Sequence, residues 1–269
     1  MSRKRLQQDL LDAEREQRYE TATPTGPGEP AQKGILPFAY VPEEWPDTVT
    51  ARAGLPLVVE AFRGYAGDAL VEQYVPVKQR RRGYTATELV EAHLLLLAAG
   101  GEHLEDFAVL REDSGLARLL GRELPSPDAA RDFLQRFHDE RLLDKAREAA
   151  AARGEQSFVP AENAALAGLG QVQAEFLRRV AAPTRGTKAT LDHDATVIES
   201  HKEQATYHYK HGRGYQPVVV VWAEQDLLVA DEFRDGNVPA GKDNLRLIQR
   251  AFLALPPWVT ERFFRVDTA

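Results

Sequence analysis

Two aspartates stand where a carboxylate could hold a divalent cation. Asp194 lies in the alternating segment Leu191-Asp-His-Asp-Ala-Thr-Val-Ile, and Asp267 follows the apolar stretch Phe263-Phe-Arg-Val. Carboxylate oxygens are the ligands that Mg²⁺ and Mn²⁺ take, and such ions also bind phosphates. Asp192 should share a strand face with Asp194 and is therefore an alternative ligand. An ordinary aspartate at a strand end would give the same pattern.

Two basic segments have the composition of a DNA contact. In the run Lys78-Gln-Arg-Arg-Arg-Gly, the cations that could bind phosphates are Arg80, Arg81 and Arg82. In the second segment cations alternate with aromatic rings, which suits unpaired DNA. Its basic residues are Lys202, Lys210 and Arg213, and they accompany Tyr207 and Tyr209. The alternatives are a solvated loop at the first segment and a mobile surface loop at the second.

The composition describes a globular chain and excludes several classes of protein. Of 269 residues, 43% are apolar and 28% are charged. The net charge of −7 argues against a general nucleic-acid coat but permits a local basic groove. No apolar run approaches the ~18 residues of a membrane span, and the N-terminus has no signal-peptide core. The absence of cysteine excludes disulfides and thiolate zinc sites and fits a reducing cytoplasm.

Three regions differ in their sequence pattern. Residues 1–36 predict a disordered or weakly helical tail, because they join a charged stub to a Pro/Gly/Thr-rich run. Residues 37–184 are predicted to be mainly helical, with a capping signal at Ser126-Pro-Asp and a long helix from Ala161 to Val180. Residues 185–269 switch to an alternation of period two, which is typical of strands.

The third region predicts three strands, a helix and a fourth strand. Strands are expected at residues 189–198, 217–223, 227–233 and 262–267, and the helix is expected at residues 244–255. Gln225 and Asp226 should join the second and third strands as a hairpin. With one helix to cover the sheet, the apolar strand from Val218 to Trp222 should leave an exposed patch and favour self-association.

Several segments of this region resemble insertion-sequence transposases of the DDE class, and the resemblance is greatest to the insertion-sequence group thirteen-eighty. The segments are Leu191–Ser200, Gly214–Glu224, Asp231–Gly241 and Phe264–Asp267. The most specific of them contains the loop Asp235-Gly-Asn-Val-Pro-Ala-Gly. The resemblance is dense from Leu191 to Asp267 and weaker from Ile35 to Pro183.

The resemblance implies an α/β fold in which a helical DNA-binding region (residues 37–184) precedes an RNase H-like catalytic core (residues 185–269). It implies that Asp194 and Asp267 are catalytic acids that hold Mg²⁺ or Mn²⁺, and that the partner is double-stranded DNA at transposon terminal repeats in the bacterial cytoplasm. The family's third acid, a glutamate on a later helix, has no counterpart in this sequence. We therefore expect a truncated, inactive transposase with an incomplete core.

Two other functions compete with a transposase. The first is a non-enzymatic DNA-binding remnant or a repressor of transposition, which would use the helical region alone. The second is a zinc hydrolase, since His208 and His211 have the spacing of two zinc ligands. The sequence offers no clear third ligand for such a site.

Overall fold

The computed structural model describes residues 49–76 and 83–266 of the chain. It also describes the two-residue strands β1 (Gln32–Lys33) and β2 (Ala39–Tyr40), which pair antiparallel. The described residues from Val49 onward belong to one compact unit. The positions of Asp267 and of Arg80, Arg81 and Arg82 lie outside the described residues.

The first part of this unit is helical. In chain order its helices are α1 (Pro56–Gly64), α2 (Gly67–Tyr74), α3 (Ala86–Ala98), α4 (Phe107–Arg111), α5 (Ser114–Leu120), α6 (Pro127–Leu134), α7 (Glu140–Ala152) and α8 (Ala164–Ala181). Short 3₁₀ turns, Leu104–Asp106 and Gln135–Phe137, precede α4 and follow α6. The mainly helical character predicted from the sequence is observed across these residues.

Local capping signals set several of these helix ends. The Ser126 side chain accepts a hydrogen bond from the Ala129 amide, which confirms the predicted start of α6. Thr85 and Glu88 form a capping box at α3. The long helix begins at Ala164 rather than Ala161, because the Asn163 side chain caps it by accepting from the Leu166 amide.

A four-stranded sheet follows the helices, and its strand order is β8-β7-β3-β9. Its strands are β3 (Lys188–Ala195), β7 (Val218–Trp222), β8 (Leu227–Glu232) and β9 (Glu261–Val266), and helix α9 (Asn244–Ala254) connects β8 to β9. β7 pairs antiparallel with both β3 and β8, whereas β9 pairs parallel with β3. The predicted hairpin and the order of three strands, a helix and a strand are observed.

Residues between β3 and β7 form a small sheet instead of the loop considered above. The strands are β4 (Ile198–Glu199), β5 (Thr206–Tyr207) and β6 (Arg213–Tyr215), and β6 pairs antiparallel with both others. Gly214 permits this pairing, since a Cβ there would lie 2.2 Å from the Ile198 carbonyl oxygen. The period-two pattern of so short a sheet extends over too few residues to be recognised in the sequence.

The two faces of the main sheet differ in burial. Val218, Val220 and Trp222 point to one face and are fully buried in a core that includes residues of α8 and α9. The expected exposed patch is therefore absent on this described face, because α8 packs on the sheet in addition to α9. The opposite face keeps half-exposed apolar side chains, among them Leu228 and Phe263. Self-association and the domain boundary at residue 184 stay predictions.

Glu224, at the β7–β8 turn, ties the hairpin to β3. Partial burial opposes its ionisation, but hydrogen bonds from the Thr190 hydroxyl and amide, each 2.7 Å, outweigh this and lower its pKa to about 2. A carboxyl with a lowered pKa stabilises the fold above its ordinary pKa of 4.5, and this contribution is lost as the pH falls toward 2.

We expect Glu224→Gln to lower the free energy of unfolding by about 1 kcal/mol at pH 7, a value reduced by solvent screening. The difference from the unmodified protein should shrink steadily between pH 5 and pH 3, as measured by urea unfolding at each pH. Glu203→Gln, at an exposed position, is the matched control and should show no such trend. A pH-independent difference would contradict the assignment.

Candidate functional site

Strand β3 presents Asp194 on the open face of the sheet. Asp194 is opposite Val219 of β7, its side chain is exposed, and the Thr196 hydroxyl lies 3.4 Å from its Oδ2. On the other side of β3, the parallel register pairs His193 with Val266, which is the last described residue of β9. The structure thus brings the end of β9 beside the predicted catalytic aspartate.

Asp192 lies on the same face as Asp194, as predicted, but it is held in an ion pair. Arg265 is its register partner on β9. The Arg265 guanidinium donates from Nε to one carboxylate oxygen at 2.5 Å and from Nη2 to the other. These bonds lower the pKa of Asp192 below its ordinary value. No ion pair of the described residues involves Asp194. The two aspartates therefore differ: Asp192 is neutralised by a cation, and Asp194 is open to a ligand.

A cavity of about 730 Å³ opens next to Asp194. One wall is the loop that contains the segment Asp235-Gly-Asn-Val-Pro-Ala-Gly, and the opposite wall comes from β3 and the small sheet. Apart from Asp194, the polar and aromatic side chains that line it are His193, His208, Gln216, Asn237, Asn244, Tyr207 and Tyr209. Position 236 requires a glycine because the backbone of Gly214 passes close to it: a Cβ at residue 236 would lie 2.6 Å from the Gly214 carbonyl oxygen.

Buried charges fix the position of the loop wall. Glu232, at the end of β8, pairs with the fully buried Arg234 and with Arg246 of α9. Arg234 Nε donates to Glu232 at 2.7 Å, while its Nη1 donates to the Lys242 carbonyl at 2.8 Å. Lys242 in turn pairs with Glu155 at 2.7 Å. The cavity wall is therefore tied both to the sheet and to the segment that follows α7.

Basic and aromatic residues lie in and between the strands of the small sheet, and two of them, Tyr207 and Tyr209, line the cavity. Lys202, Lys210 and Arg213 are all exposed. The Arg213 guanidinium lies 5.2 Å from the centre of the Tyr207 ring, and the Lys210 ammonium lies 5.5 Å from that of Tyr209. The structure thus brings two of the three predicted DNA-binding cations of this segment next to tyrosines that line the cavity.

Three residues of the cavity wall carry buried polar atoms without a hydrogen-bond partner. They are His193 Nε2, His208 Nε2 and Asn244 Oδ1. His208 is 4% exposed, and its Nδ1 accepts from the Lys210 amide at 3.2 Å. His211 is exposed in a turn with a φ of 65°. Within residues 49–76 and 83–266, no group of three or more histidine or acidic side chains is placed to hold a metal ion.

Asp194 offers the type of ligand that a hard divalent cation takes. Its exposed carboxylate and the neighbouring Thr196 hydroxyl are both oxygen donors. Among described residues only Asp194 contributes an unpaired carboxylate here, and Asp267, the second predicted ligand, is outside them. The chemistry of the donors therefore fits Mg²⁺ or Mn²⁺.

Sequence reasoning missed several residues of this site. The loop was recognised as distinctive, but the side chains that complete the cavity (His193, Gln216, Asn237 and Asn244) were not assigned a role. His193 lies between the two aspartates in an alternating strand, and this position was the signal that could have marked it as part of the site. Its side chain is 6% exposed. Asn244 begins α9, and its cavity position depends on how that helix packs on the sheet.

No helix in the described part of the chain has the length and apolar character to cross a membrane.

Comparison with known proteins identifies the family. No curated protein and no solved structure matches the chain. The profile of a family described as Transposase DDE domain group 1 matches residues 47–269, which is more than half of the chain. The chain therefore belongs to the family of transposase DDE domains, group 1.

Proposed function

We propose that this chain carries the catalytic aspartates of an insertion-sequence transposase of group thirteen-eighty, on an RNase H-like core. The observation that carries the proposal is the parallel pairing of β9 with β3, in which Val266 is opposite His193. In the sequence, Asp267 directly follows Val266, as Asp194 directly follows His193. We infer that the two carboxylates bind the same divalent ion, as phosphoryl-transfer chemistry requires.

Asp194 and Asp267 would hold Mg²⁺ or Mn²⁺, which supplies charge stabilisation for in-line attack on a DNA phosphodiester. The exposure of Asp194 lets a phosphate approach it from solvent. Arg265 neutralises Asp192, so one negative charge fewer repels the DNA backbone beside the site. Lys202, Lys210 and Arg213 would bind backbone phosphates near the cavity entrance, and Arg80, Arg81 and Arg82 would bind phosphates elsewhere on the duplex, at terminal repeats.

The proposal is tested by the effect of Mn²⁺ on DNA binding. A fluorescein-labelled blunt duplex is titrated with protein in Mn²⁺ and, separately, in EDTA, and anisotropy gives the two dissociation constants. We expect Mn²⁺ to strengthen binding by about tenfold, because a bridging cation adds a contact to phosphate. Asp194→Asn should abolish this gain. The loss of its negative charge can strengthen binding in EDTA, so the readout is the ratio of the two constants, which should fall to about one.

Asp192→Asn is the matched control, because it removes a carboxylate from the same face of the same strand. It removes the carboxylate that pairs with Arg265 and can change both constants together, but the ratio between them should remain at the value of the unmodified protein. The assignment of Asp194 fails if the unmodified protein shows no Mn²⁺ gain, or if Asp194→Asn retains it.

A further inference from the structure

We infer that the cavity beside Asp194 takes the base of one unpaired nucleotide of the DNA strand, with Tyr207 and Tyr209 as stacking surfaces. The inference rests on the proposed function for the presence of DNA, and it adds a binding site for a part of the DNA that a fully paired duplex does not expose. Three properties of the cavity carry it: its size, its aromatic side chains and its charge.

The size of the cavity suits a nucleotide. Its volume of about 730 Å³ lies within the range of roughly 300–1,000 Å³ that is typical of small-molecule sites. Its lining mixes apolar groups such as Val238, Pro239 and Val266 with a small number of polar side chains. A nucleobase has the same mixed character, with apolar faces and a hydrogen-bonding edge.

Tyr207 and Tyr209 are arranged as stacking platforms. Both belong to the cavity lining, yet their side chains are 65% and 66% exposed, which is unusual for large rings. Each ring has a cation near it, Arg213 or Lys210, placed where it can neutralise a phosphate of a strand whose base stacks on the ring. Stacking on such rings requires an unpaired base and tolerates any sequence.

The charge of the cavity argues for the base rather than the phosphate as its occupant. Asp194 is part of the lining and, as a carboxylate, repels a free anion that enters the cavity. The cations Lys210 and Arg213 are exposed beside the rings. A nucleotide is therefore bound with its base inside and its backbone along the cationic rim.

The test compares three fluorescein-labelled DNAs in EDTA: a blunt duplex, the same duplex with three unpaired nucleotides at one 3′ end, and that extended duplex with abasic extension nucleotides. We expect the extended duplex to bind about tenfold more tightly than the blunt one, as stacking of a single base would give. The abasic duplex keeps the phosphates of the extension but has no base to stack, so it should lose most of this gain. In the double variant Tyr207→Leu/Tyr209→Leu, the dissociation constants for the blunt and the extended duplex should become equal, whatever the affinity for the blunt duplex.

Phe263→Leu is the matched control, because Phe263 is half-exposed, has Lys188 near its ring at 5.4 Å and lies outside the cavity lining. It should keep the full preference for the extended duplex. Equal binding of blunt and extended DNA by the unmodified protein would overturn the inference, as would a preference that survives the double variant or the loss of the bases. In those cases binding to the blunt duplex and its Mn²⁺ gain would still support the proposed function, whereas no binding to any DNA would overturn both.

Discussion

Glu232→Gln should lower the free energy of unfolding by about 3–5 kcal/mol, because it leaves a buried cation without its counter-charge. The Glu232 side chain is 6% exposed and that of its partner Arg234 is fully buried. Arg234 Nη2 lies 2.6 Å from Glu232 Oε1 without hydrogen-bonding geometry, so charge attraction is its main compensation. Urea unfolding followed by circular dichroism at pH 7 measures the loss.

Two further variants separate this effect from a general loss of negative charge. Glu261→Gln makes the same chemical change at an exposed position of the same sheet and should alter stability by less than about 0.5 kcal/mol. Arg246→Gln removes the other partner of Glu232, which is half-exposed, and should cost about 1 kcal/mol or less. A Glu232→Gln protein as stable as the Glu261→Gln protein would show that the buried pair contributes little.

We expect Glu91→Gln to produce a loss of similar size in the helical part of the chain, about 3 kcal/mol. The Glu91 side chain on α3 is fully buried and accepts hydrogen bonds from Arg63 of α1 at 2.7 and 2.9 Å. Arg122, which follows α5, donates to the same carboxylate at 3.0 Å. One carboxylate thus joins three segments. Arg122 is only 15% exposed, so little water can reach its guanidinium to replace the lost carboxylate.

Glu72→Gln on α2 is the control for Glu91→Gln, since that side chain is exposed and the substitution is identical. It should leave the unfolding midpoint within the error of the measurement. If both variants unfold at the same urea concentration, the two arginines find enough solvent or other partners, and the carboxylate is not what holds α1 and α3 together.

The sequence by itself determined the elements whose signals are local. The alternation of apolar residues predicted β3, β7, β8 and β9, because successive side chains of a strand point to opposite faces. The capping serine at residue 126 marked a helix start for an equally local reason, a hydrogen bond within three residues. The prediction that Asp194 is a site residue used the same kind of signal, its position in an alternating strand.

Only the tertiary structure decided which of two similar aspartates is open to a ligand. Asp192 and Asp194 have the same chemistry and the same strand face, but Arg265 arrives opposite Asp192 from 73 residues away. The cavity depends in the same way on distant residues, since the loop wall is tied to Glu155, 87 residues from Lys242. Periodicity and capping report interactions along a few residues, whereas register and packing depend on which strands and helices meet in three dimensions. The difference between the two carboxylates is therefore a property of the fold.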